Sequence, residues 1–106
     1  LVHYIWIGPN SIPSEYLSNL EKCKQLNPQY EFKIWGNDES LQLLEDNNYI
    51  EYWSSLPNII TKICFLRYLI LNKYGGIYSD FDINWKISFD VILFIIFTTE
   101  AVFKDS

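Results

Sequence analysis

The sequence has no apolar run approaching the ~18 residues that a membrane-spanning helix needs. Its longest, Val91 to Phe97 (VILFIIF), is closed off by Asp90 and Thr98 and reads as a core strand or helix segment, so no transmembrane segment is expected. Basic residues are scarce: eight lysines and arginines stand against thirteen acidic residues, a formal charge of -5. That balance argues against nucleic acid or an anionic membrane as a partner, because an acidic surface attracts cations instead. Arginine is scarcer still, with Arg67 the only one. Cysteine is limited to Cys23 and Cys64, far apart and without metal-site spacing, and both are read as core thiols rather than a disulfide. No Asn-x-Ser/Thr acceptor occurs although asparagine is frequent, which disfavours a heavily glycosylated ectodomain. No signal-peptide pattern opens the chain. It starts at Leu1, directly in an apolar stretch, and is expected to be a segment of a longer protein.

What is present is enough for one small domain with a core: 106 residues, 49% hydrophobic and 18% aromatic. Val2 to Ile7 (VHYIWI) is β-branched and aromatic and stops at Gly8-Pro9. It reads as a strand buried on both faces, as in parallel sheets. A helix is expected after Ser11, with Pro13 near its first turn and Leu17, Leu20, Cys23 and Leu26 at helical spacing, ending at Asn27-Pro28. Tyr30 to Trp35 alternates as a strand. Asp38 is the expected N-cap of a short helix with Leu41 and Leu44 inward. Ile50, Trp53 and Leu56 anchor a loop or short helix, and Trp35 is read with Trp53 as a core anchor. Asn58 caps a longer helix with Ile59, Ile60, Ile63, Cys64, Leu66, Ile70 and Leu71 as its apolar positions and Gly75 as its C-cap. Gly76 to Ser79 is a very short strand. Strands alternating with helices predict an α/β domain with a mostly parallel sheet flanked by helices.

That last strand opens onto Asp80-Phe81-Asp82. Two neighbouring carboxylates repel, and burial disfavours each charge, so water, a basic side chain or a metal ion must compensate. If the segment is extended, both carboxylates face one side and Phe81 the other. Such a pair at the carboxyl end of a parallel strand is a hard-oxygen site for Mg²⁺ or Mn²⁺, and that sheet edge is where open α/β folds bind ligands. The same spacing also occurs as a plain solvated turn. His3 is read as a core or strand-end histidine rather than a ligand. Tyr78 either flanks a ligand or packs inside, and Trp85 covers either the site or the sheet edge.

Three segments in order, His3 to Gly8 (HYIWIG), Asn27 to Trp35 (NPQYEFKIW) and Leu66 to Asp82 (LRYLILNKYGGIYSDFD), resemble the glycosyltransferases whose sugar-binding region carries a DXD motif. That group includes yeast-type initiating mannosyltransferases, capsular transferases and, more distantly, the glucosyltransferase domains of large clostridial toxins. The third segment is the specific one. The resemblance implies a partial GT-A-type domain, residues 1–106 forming the donor-binding part of a longer enzyme. It implies retaining transfer of a hexose from a UDP- or GDP-sugar to a glycan, lipid or protein acceptor, with Mn²⁺ or Mg²⁺ bridging diphosphate and protein. It assigns Asp82 to the metal, Asp80 to metal, ribose and sugar, Arg67 to the donor, and Trp6 to the base, with Ile7 and Tyr78 beside the donor. The compartment stays open between the cytoplasm and a Golgi or membrane association through further segments.

The chain departs from that family at one point. Ser-Asp usually precedes the arginine by three to four residues, where this sequence has Ile63 and Cys64. A thiol is a poor partner for sugar hydroxyls, so hexose placement is expected to weaken while metal and diphosphate contacts persist. The alternative is therefore a truncated or inactive nucleotide-sugar-binding module without transferase activity.

Overall fold

The computed structural model describes residues 1–91. The strand or helix expected over 91–97 lies outside the described residues beyond its first position. The chain runs β1 (Val2–Ile5), α1 (Ser14–Leu26), β2 (Phe32–Trp35), α2 (Asn37–Asp46), α3 (Ile50–Ser55), α4 (Ile59–Tyr74) and β3 (Ile77–Tyr78). The sheet has the order β2-β1-β3, and both pairings are parallel. This is the expected α/β class, an arrangement consistent with a partial GT-A-like domain.

β1 is the central strand, and all four of its residues are buried, as a two-faced strand requires. Its side chains alternate between two cores. Val2 and Tyr4 join Leu20 and Cys23 of α1 with Phe81 and Phe89 from the segment after β3. Ile5 joins Trp35, Leu43 and Leu44 with Leu66, Leu69 and Ile70 of α4. The sheet is thus a middle layer between α1 on one side and α2, α3 and α4 on the other.

Several element ends differ from expectation for local reasons. α2 starts one residue before Asp38, with Gly36 at its N-cap, and the Glu39 carboxylate accepts the Gly36 N–H at 2.7 Å. Glu39 thus satisfies a donor that a helix start leaves unpaired. The register this sets turns Leu43 and Leu44 inward and leaves Leu41 exposed. α4 is capped as expected: Asn58 Oδ1 accepts the Thr61 N–H at 2.8 Å, and the Gly75 N–H closes the helix on Leu71 O at 2.8 Å. In its first turn Ile59 and Ile60 are exposed rather than inward. Cys64 is exposed too and is not a core thiol, whereas Cys23 is buried; both are free. On α1, Leu17 faces solvent while Leu20 and Cys23 carry the buried stripe.

Candidate functional site

In the strand order β2-β1-β3, the chain leaves β1 toward β2 and returns to the other flank of β1 as β3. A crevice forms where such a parallel sheet switches direction. A cleft of about 240 Å³ occupies that position. Ile5, Trp6 and Ile7 from the end of β1 form one wall, Tyr78, Asp80, Phe81 and Asp82 the other, with Tyr16 of α1 and Ile63 of α4 completing it.

The aspartates do not extend β3. The strand stops at Tyr78, Phe81 and Asp82 form a turn, and the Ile83 N–H reaches Asp80 O at 3.3 Å. The separation expected of an extended segment is not what results: Asp80, Phe81 and Asp82 all line the cleft. Phe81 is buried, its ring 4.7 Å from Tyr4 and 5.9 Å from Trp6, while Asp80 and Asp82 are exposed at the cleft. Among the described residues neither carboxylate is in an ion pair, and no third histidine, cysteine or carboxylate joins them in a metal-binding cluster. Two carboxylates facing an open cleft match the protein share of a Mg²⁺-type site, where water and phosphate oxygens supply the remaining positions.

Arg67 does not line the cleft itself. Its guanidinium lies over the Tyr78 ring at 5.3 Å and donates through Nη2 to Cys64 Sγ at 3.5 Å. Tyr78 does line the cleft. Burial pushes its phenol above the ordinary range, the neighbouring Asp80 carboxylate adds to that, and Arg67 pulls the other way. Cys64, Arg67 and Tyr78 therefore form a continuous series from α4 to the cleft. Trp6 is half-buried, its indole N–H donating to Asn10 O at 2.9 Å and its ring edge-on to Tyr16 at 6.0 Å. Ile7 lines the same wall. His3 stays out of the site: it is fully buried at the opposite end of β1, between Gly75 and Trp35. Trp85 supports the turn from behind, donating to Ser79 Oγ at 2.9 Å and stacking edge-on against Phe89 at 4.9 Å.

Sequence reasoning did not find Ile5, Tyr16 or the wall position of Ile63. Ile63 carried a readable signal, since it precedes Arg67 by four residues and so shares its helix face. Tyr16 carried none, because its place depends on how α1 crosses the sheet. Also unforeseen is the pairing of Asn37 with Gly8: the side-chain amide donates to Gly8 O at 2.8 Å, and its oxygen accepts the Gly8 N–H at 3.0 Å. This ties the loop after Ile7 to the start of α2. Gly8 has a φ of 131°, a conformation that side chains other than hydrogen disfavour.

The family profile described as a glycosyltransferase sugar-binding region containing a DXD motif matches residues 13–95, and the chain belongs to that family. It is 33% identical over 96 residues to inositol phosphoceramide mannosyltransferase 3 of Schizosaccharomyces pombe, covering 88% of this chain and 26% of that protein. It is 37% identical over 86 residues to an uncharacterized glycosyltransferase of Acanthamoeba polyphaga mimivirus, covering 77% and 34%. A mannosyl phosphorylinositol ceramide synthase of Saccharomyces cerevisiae is 29% identical over 86 residues, covering 79% and 23%. The chain thus spans about a quarter to a third of the length of these relatives. No solved structure matches it.

Proposed function

We propose that this chain is the donor-binding part of a metal-dependent, retaining glycosyltransferase of the DXD type. It would transfer a hexose, with mannose the first candidate by likeness to its relatives, from a UDP- or GDP-sugar to a glycan, lipid or protein acceptor. The supporting observation is the cleft at the β1/β3 switch point, where Asp80 and Asp82 stand opposite Trp6 and Ile7 with Tyr78 at its wall. Asp82, with Asp80 beside it, would hold Mn²⁺ or Mg²⁺. When bound, that cation supplies Lewis-acid stabilisation of the diphosphate charge that grows as the glycosidic bond breaks. The remaining roles belong to side chains. Trp6 offers an indole face to a base. Tyr78 stays a neutral phenol at neutral pH and can donate a hydrogen bond. Arg67 contributes positive charge from behind Tyr78 and has a planar fork suited to diphosphate, ribose or sugar oxygens.

The test is a titration of UDP- and GDP-sugars with and without Mn²⁺ on the wild type and Asp82→Asn, read by thermal shift. Metal-dependent binding at a hundredfold excess over Kd stabilises the wild type by about 2.7 kcal/mol. Asp82→Asn is expected to lose about 1.5–3 kcal/mol of that affinity, the range for a charged hydrogen-bonding group. Equal metal-dependent binding by both proteins would remove Asp82 from the site.

One observation favours the second reading, a nucleotide-sugar-binding module without transfer. Ile63 puts a side chain with no polar atom on the cleft wall, and Cys64 offers only a thiol beside Arg67. Nucleotide-sugar binding without hydrolysis or transfer to any acceptor by the complete protein would support that reading.

A further inference from the structure

The aspartate turn lies beyond the last ladder bond of β3, which the Ser79 N–H makes to His3 O at 3.0 Å. Past that point the sheet no longer specifies where the chain goes. The two carboxylates repel one another, and the turn's own contacts are short-range: Ser79 Oγ to Asp80 O at 3.2 Å, Ile83 N–H to Asp80 O at 3.3 Å, and Trp85 to Ser79. Among the described residues, one hydrogen bond reaches the turn from a distant element. The Asn19 side-chain amide, on α1, donates to Phe81 O at 2.9 Å across 62 positions of sequence.

We propose that Asn19 is the positioning residue of this site, fixing the peptide between Phe81 and Asp82 so that Asp82 projects into the cleft. The Phe81 ring is already held by Tyr4 and Trp6. Fixing its carbonyl as well leaves the peptide plane no freedom to rotate about that anchor, and the Asp82 side chain starts from that plane. Asparagine is a poor residue for the interior of a helix, because its amide competes for backbone partners. In α1 the amide instead bonds to another element. Tyr16, one turn earlier on the same helix face, lines the cleft, so α1 presents one surface to the turn and to its pocket. The benefit to a bound cation is preorganisation, since a pair held together before binding spends less free energy on ordering. That benefit rests on the function proposed above; the clamp itself does not.

The experiment uses the full chain with Asn19→Leu, Asn19→Ser and the donor-retaining Asn19→Gln. Hydrogen exchange is followed at the amides of residues 81–83, and Mn²⁺ alone is titrated by electron paramagnetic resonance of the free ion. Asn19→Leu and Asn19→Ser are expected to exchange about three- to tenfold faster at these amides and to bind Mn²⁺ weaker by a similar factor, the scale of one hydrogen bond. Amides of β1 should be unchanged, and Asn19→Gln should stay within about twofold of wild type. If Asn19→Leu does not fold, Asn19→Ser carries the measurement. A wild type that binds no Mn²⁺ removes the metal reading, while faster exchange in the variants still upholds the clamp. Unchanged exchange at 81–83 in the variants overturns the clamp whatever the metal does.

Discussion

The two ends of the parallel sheet are built on opposite principles. At the amino end, Leu1, His3, Gly75 and Gly76 close on one another through backbone and imidazole hydrogen bonds, with no charged side chain among them. At the carboxyl end the chain leaves two exposed carboxylates and a half-covered arginine around an open cleft. The same three strands thus end in a hydrogen-bonded junction without charged side chains and in an open, charged cleft. Unneutralised charge is tolerable where solvent or a ligand reaches it, while the sealed end carries the geometry that the open end depends on. Substitutions at the sealed end should act on stability, and those at the open end on ligands.

The largest effect is expected at Gly76. Its φ is 92°, and a Cβ there would press into the Leu1 carbonyl oxygen, the acceptor of the Ile77 N–H at the start of β3. Gly76→Ala should cost about 2–4 kcal/mol from left-handed backbone and steric strain combined, and should remove any metal binding with the fold, as read by urea denaturation. Gly75 makes the internal contrast. Nothing crowds it, but its φ of 66° and ψ of -161° lie in a region kept almost entirely to glycine, so Gly75→Asn should cost about 1–3 kcal/mol from backbone strain alone. Equal losses at the two glycines would show that the Leu1 contact is not what closes this end.

A smaller, pH-dependent effect belongs to His3. The Trp35 indole N–H can only donate, so His3 Nδ1 accepts at 3.1 Å, and Nε2–H donates to Gly75 O at 2.9 Å. Burial lowers the pKa of His3, the Gly75 carbonyl opposes it, and Lys33 adds to the lowering. The folded protein therefore binds this proton less readily than the unfolded chain. The stability that neutral His3 contributes is fully present above its ordinary pKa of about 6.5 and declines as pH falls from there toward the depressed folded value. His3→Phe should lose about 1–3 kcal/mol at pH 8, because the buried Trp35 N–H is left without its acceptor and the Gly75 carbonyl loses its donor. The variant should also show a flatter stability profile between pH 5 and 7. A wild-type profile flat across that window would contradict the neutral, buried imidazole.

Sequence periodicity and spacing disclosed most of the sealed end and only part of the open one. VHYIWI read as a two-faced strand because its first four residues are in fact buried on both faces, and Asn58 and Gly75 cap α4 through a side-chain oxygen and a backbone N–H acting on the adjacent helix end. Such signals are local. Asp80 and Asp82 were found by spacing, but their turn was not, since Asn19 and Trp85 that hold it come from outside the strand pattern. Leu41 and Ile60 were misplaced for a related reason: helical spacing identifies apolar residues but not which of them the docked helix turns inward. Tyr16 enters the cleft only once α1 is docked, which no window of sequence contains.

The smallest effect sharpens the comparison at the open end. Cys64 is exposed, and its sulfur is the acceptor of the Arg67 Nη2. Cys64→Asp replaces a weak acceptor with a charged one at i,i+3 on the same helix. The gain in stability should be only about 0.2–0.5 kcal/mol, as for exposed helical ion pairs, and should fade as salt screens it. Under the proposed function the larger consequence is selectivity. A carboxylate beside Arg67 could accept a hydrogen bond from a hexose hydroxyl, so discrimination among nucleotide sugars should sharpen by about tenfold. Affinity for the nucleotide diphosphate with Mn²⁺, held by Asp82, should stay level. Isothermal titration of paired hexose donors against Cys64→Asp and wild type separates the two quantities. A stability gain of several kcal/mol would make this position part of the folded core, and the division between a sealed, stabilising end and an open, ligand-facing end would fail there.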